Sequence, residues 1–156
     1  MNTTLASPMA PRQAFPFKAF WLTCLVVSVW VNASEVFRYF AFVMPTLRST
    51  LSMVPNVAPM NLGVFLIWGA WDSLLVVMTV LTYWLWSAQF GAGLRSVLVA
   101  GTLSWLFFFV LFWVGLLNMR LAEWGLLALA LPLAWFELVV ASAIAEWGLR
   151  RFARSQ

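Results

Sequence analysis

Three carboxylic acids stand inside long apolar runs of this chain: Glu35, Asp72 and Glu137. A charged Asp at the centre of a membrane helix costs about 2.5–3.5 kcal/mol on insertion scales, whereas a Leu or Phe returns only about 0.3–0.6 kcal/mol. Each acid therefore uses up the insertion benefit of several apolar neighbours. Ionisable groups in such places belong to proton relays, ion paths or polar pairings.

Arg38 is the cation nearest to them. It follows Glu35 by three residues, so the two can meet on one helix. It can equally reach Asp72 across a bundle, or snorkel to the headgroups. One cation for three acids leaves two to be neutralised by protons or by polar partners. Asn32, one turn before Glu35, adds an amide to the same face. Counting about 1.5 Å of rise per residue places Asn32, Glu35 and Asp72 in one layer of the outer half. Glu137 falls one or two turns deeper, level with Ser104. In the string Trp68-Gly-Ala-Trp71-Asp72, Trp68 lies one turn from the acid and can offer it an indole N–H. The expected polar cluster is thus Asn32, Glu35, Arg38, Asp72 and Glu137, supported by Trp68 and Ser104.

The elements that must position these residues are four apolar runs over residues 18–42, 62–86, 95–117 and 121–147. Each reaches the ~20 residues that cross a hydrocarbon core. The fold class that follows is all-α: a polytopic membrane protein with four transmembrane helices in an antiparallel bundle. Small and polar residues recur at helical spacing on one face of each run, as bundle interfaces in lipid require. These stripes are Cys24, Ser28, Asn32, Glu35 and Tyr39; then Trp68, Asp72, Leu75, Thr79, Thr82 and Trp86; then Gly101, Ser104, Phe108, Leu111, Gly115 and Asn118; then Ala130, Ala134, Glu137 and Ala141, with Gly148 beyond. Pro132 is placed to kink the fourth helix just before Glu137.

Residues 1–17, with Pro8, Pro11 and Pro16, read as a flexible tail, and residues 150–156 as a basic one. The longest connection, residues 43–61, carries Pro45, Pro55 and Pro59, and a short interfacial helix over residues 46–53 suits it. The connection around residues 118–120 is short enough to make the last two spans a hairpin.

Composition narrows the function. The chain of 156 residues is 64% hydrophobic and 9% charged, against about 25% charged for a soluble domain. It has no His and one Cys. That excludes a Ser-His-Asp triad, a His/Cys zinc site and a His-ligated haem within one chain. No catalytic residue, metal or cofactor is assigned. The net charge of +4 comes from scattered cations that flank spans, so nucleic acid is not an expected partner. Arg12, Lys18, Arg95, Arg150, Arg151 and Arg154 fall on one side; Arg38, Arg48 and Arg120 fall on the other. The positive-inside rule then puts both termini in the cytoplasm. Arg-rich, Lys-poor usage suggests a bacterial inner membrane. The function expected is a non-catalytic accessory or assembly subunit that pairs its carboxylates with a membrane partner. The alternative is a small proton-linked transporter or channel with Asp72 and Glu137 as protonatable groups. The bilayer is the expected partner, with a homodimer or a second membrane protein beside it.

Overall fold

A computed structural model describes residues 15–57 and 59–154. It is all-helical, with no strand among the described residues. Four helices are long and apolar enough to cross a membrane: α1 (Phe17–Thr50), α2 (Leu62–Phe90), α3 (Leu94–Asn118) and α4 (Trp124–Ala153). They run to 25 residues or more each, and ~1.5 Å of rise per residue carries all four past a ~30 Å core.

Local chemistry sets where they start and stop. Asn61 caps α2, its Oδ1 accepting from the Val64 N–H at 3.0 Å, which satisfies one orphan donor of the first turn. The turn from α2 to α3 passes through Gly91 at φ 85° and Gly93 at φ 141°, a region that side chains disfavour. Ser96 Oγ closes it by donating to the Gly91 carbonyl at 2.5 Å. The link from α3 to α4 is closed by Leu121 N–H donating to the Leu116 carbonyl at 2.9 Å, with Arg120 at φ 58°.

Short links force neighbouring helices to run antiparallel. α1 and α3 each pack on both α2 and α4, and α2 also touches α4 across the bundle. One end of the bundle therefore carries the start of α1, the α2–α3 turn and the end of α4. It is called the terminal end below, and the opposite one the hairpin end. The interior is built mainly from small residues on α4, with Ala130, Ala134, Ala141 and Ala145 all fully buried. A Cβ on Gly101 would sit 2.8 Å from Val139 Cα, so the α3 and α4 backbones touch there. The perimeter is Leu, Val, Phe and Trp, among them Phe17, Leu25, Ile67, Phe107 and Trp124, as lipid contact requires.

Several sequence expectations change. The first helix does not stop at residue 42 but runs on to Thr50. A π-helical turn over Tyr39–Val43, in which Met44 N–H donates to the Tyr39 carbonyl, precedes Pro45. That wider turn reorganises the hydrogen bonds just ahead of the missing proline N–H. The separate interfacial helix expected over residues 46–53 is instead the end of α1. Likewise, residues 150–153 are helix rather than tail. Most of the expected N-terminal tail, residues 1–14, and residues 155–156 lie outside the described residues.

A second π turn, Leu106–Val110, interrupts α3. It adds one residue to the local repeat and rotates the face. Phe109 and Trp113 point inward, while Leu111 of the expected stripe is 61% exposed. In α1 the buried face is Phe20, Thr23, Cys24, Val27, Val31 and Arg38. The polar row Ser28, Asn32, Glu35 and Tyr39 lies along its half-buried edge. The α4 stripe lies where the spacing put it, and so does the middle of the α2 stripe; of its ends, Trp68 is exposed and Thr82 and Trp86 are half-buried.

Candidate functional site: a buried arginine ringed by carboxyls

Arg38 is the centre of the site. Its position on α1 is set by the helix extension: twelve residues separate it from Thr50, about 18 Å of axial rise. The side chain is 4% exposed and its guanidinium is turned into the bundle, which is not the outward reach that snorkelling needs.

Its guanidinium pairs with two carboxylates. Nη2 makes a close ion pair with Glu35 Oε1 on its own helix, and Nη1 lies 3.4 Å from Glu137 Oε2 on α4. The flat of the guanidinium covers the Phe109 ring of α3, 4.5 Å from its centroid, a cation–π contact. Three helices thus meet on one side chain, and the fourth contributes Asp72. This acid is buried and within electrostatic reach of Glu35, Arg38 and Glu137, without a direct ion pair.

Axial counting explains the convergence. Asp72 lies about 15 Å from the start of α2 and Glu137 about 20 Å from the start of α4. With Arg38 at about 18 Å, all three fall within about one turn. Glu137 stays about one turn below Asp72, as expected, but it is not below Glu35, because α1 runs on to Thr50 and carries Glu35 and Arg38 to its level.

The remaining expected members stand elsewhere. Asn32 spends its amide on its own helix, donating to Ser28 O at 2.8 Å and Ser28 Oγ at 3.0 Å. Trp68 is 43% exposed, and among the described residues it donates nothing to Asp72. Trp71 is the inward Trp of that string, its ring edge-on to Phe108. Ser104 is buried, with no protein partner for its hydroxyl.

Residues not singled out by sequence hold the cluster together. Trp30 Nε1 donates to the Glu137 carbonyl at 3.0 Å, tying α1 to α4 at the acid itself. Trp105 Nε1 donates to the Leu131 carbonyl at 2.8 Å, just before Pro132, and Trp135 Nε1 to Thr102 Oγ1 at 3.0 Å. A signal for Trp30 existed. It stands mid-run, away from the interfacial belt where Trp is usual, and an indole N–H in that position needs an acceptor. It was lost among 11 Trp. Phe109 had no signal without the π turn.

Chemically the site is a buried group of carboxyls around one guanidinium. Among the described residues the acids do not form a metal-holding group, and Arg38 occupies the position between Glu35 and Glu137. Comparison with known protein families, with curated proteins and with solved structures finds no match. The class is therefore set by the helices alone, which have the length and apolarity of a multi-pass membrane protein.

Proposed function

We propose that this chain is a proton-linked membrane protein, a small transporter or channel component. Glu137 and Asp72 take up and release protons beside the Glu35–Arg38 ion pair. One observation carries the reading: two carboxyls pair with a single guanidinium in the bundle interior, and a third, Asp72, is buried within electrostatic reach of them. An unpaired buried charge is far more costly than a neutral group. Local neutrality around Arg38 then leaves two of the three carboxyls to hold protons, and their number can change without unfolding the bundle.

The accessory-subunit reading has less support. Glu35 and Glu137 are spent on Arg38 and Asp72 is buried, so only Glu35, with 20% of its side chain exposed, can turn toward a partner. A bacterial inner membrane with both chain ends in the cytoplasm fits the surface cations. Lys18, Arg95, Arg150, Arg151 and Arg154 lie at the terminal end, against Arg48 and Arg120 at the hairpin end. With Arg38 withdrawn into the core, the positive-inside bias is stronger than the sequence count suggested.

The test is infrared spectroscopy of the purified protein in nanodiscs. The expected result is a C=O stretch from protonated carboxyls that grows and fades with pH and changes in Glu137→Gln, Asp72→Asn and Glu35→Gln. Spectra with no such band in the wild type overturn the proposal. Mass measurement in mild detergent separates a homo-oligomer from the heteromeric complex that the accessory reading requires.

A further inference from the structure

Buried polar groups are distributed unevenly about the cluster. Outside it, the buried polar side chains among the described residues are Thr23, Thr79, Ser96, Ser104 and Ser142. All five lie between the cluster and the terminal end. Buried atoms without a protein partner follow the same rule. Apart from Arg38 Nη1 and Glu137 Oε1, they are Thr79 Oγ1, Tyr83 Oη, Trp86 Nε1, Ser104 Oγ and Ser142 Oγ. Each belongs to the terminal half. Toward the hairpin end the buried side chains beyond the cluster are apolar, including Val43, Trp113, Leu126 and Leu127.

We infer that the cluster exchanges protons with water at the terminal end alone, along a file of hydroxyls formed by Ser104, Ser142, Thr79 and Tyr83. This rests on the proton-linked reading above and adds its route and sidedness.

The ladder is graded. Ser142 is five residues past Glu137 on α4, about 7.5 Å along the axis. Ser104 precedes Phe109 by the same count on α3. Thr79 lies about 10.5 Å beyond Asp72 on α2, and Tyr83 about 16.5 Å. Hydrogen-bonded oxygens are spaced at about 2.8 Å, so one or two water molecules bridge each gap. Buried hydroxyls with no protein partner are the groups that hold such waters. A hydroxyl both donates and accepts, so it relays a proton in either direction. Tyr83 is the last buried hydroxyl of the file: its Oη lies near Ser87 and the Gly93 backbone without a well-formed bond to either, within electrostatic reach of the Glu146–Arg150 pair at the terminal end.

The charged groups facing the file are few. They are Glu35 and Arg38 on α1, Asp72 on α2, and Glu137 with the Glu146–Arg150 pair on α4; α3 offers only Ser104 and Phe109. The step balances without a further reactant. A hydronium at the terminal end gives up a proton, the file passes one along, and the Glu137 carboxylate becomes a carboxyl; release is the reverse.

The experiment is hydrogen–deuterium exchange of the protonated-carboxyl band, followed by rapid-mixing infrared spectroscopy in nanodiscs. Thr79→Val with Ser142→Ala should slow exchange about tenfold or more, the rate equivalent of one lost hydrogen-bonded link. Tyr83→Phe should slow it as well. Ser73→Ala, on the outward face of α2, should leave it unchanged. Circular dichroism establishes that each variant is folded. A band that exchanges at the wild-type rate in the folded double variant and in Tyr83→Phe overturns the file and leaves the proton-linked reading standing. A wild type with no protonated-carboxyl band overturns that reading, and the file with it.

Discussion

Replacing Arg38 by Met is the sharpest perturbation of this fold. Met keeps much of the aliphatic volume and removes the guanidinium. The change takes away two ion-pair contacts, one to Glu35 and one to Glu137 at 3.4 Å, and the stacking on Phe109. Removing one partner of a buried pair costs about 3–5 kcal/mol, because the other charge is left uncompensated. The cation–π contact adds about 0.5–2 kcal/mol. The variant should therefore lose about 3.5–7 kcal/mol while the carboxylate left facing that position stays ionised, and less if it takes a proton. Unfolding by SDS titration of the protein in detergent, read by Trp fluorescence, measures this. A double-mutant cycle sharpens it: Arg38→Met on a Glu137→Gln background should cost about 2 kcal/mol less than on the wild type, within the range of coupled contacts. A loss below about 1 kcal/mol with no coupling would refute the claim that Arg38 holds α1 to α4.

Gly101→Ala drives a methyl to 2.8 Å from the Val139 Cα, against backbone that cannot yield; it should destabilise by about 1–3 kcal/mol in the same titration. Trp30→Phe keeps an aromatic ring but loses the bond to the Glu137 carbonyl, with an expected cost of about 0.5–1.5 kcal/mol. Glu146→Gln breaks a pair whose Arg150 side chain is 53% exposed, so its effect should stay under about 1 kcal/mol. Cys24 is the single thiol and is buried. A water-soluble maleimide should label it slowly in the folded protein and rapidly in SDS, as mass spectrometry would show.

Much of this molecule is legible in its sequence, because lipid imposes a simple rule. A run of about twenty apolar residues must close its own backbone hydrogen bonds, and a helix does so locally. Four such runs, their order and their antiparallel sense follow without any tertiary information. So do the inward faces of α2 and α4, where regular 3.6-residue spacing holds from end to end and puts Asp72 and Glu137 inside. What spacing cannot foresee is a change of period. The two π turns rotate the later parts of α1 and α3, and whether a helix adopts one depends on what packs around it. In α1 the turn comes just before Pro45 and the helix continues beyond it, so Arg38 lies well inside the helix, with its side chain buried. In α3 it exchanges Leu111 for Phe109. The acids were visible as costly groups and Arg38 as the cation nearest to them; its contact with Glu137 was not, because it joins helices distant in sequence and is decided by packing.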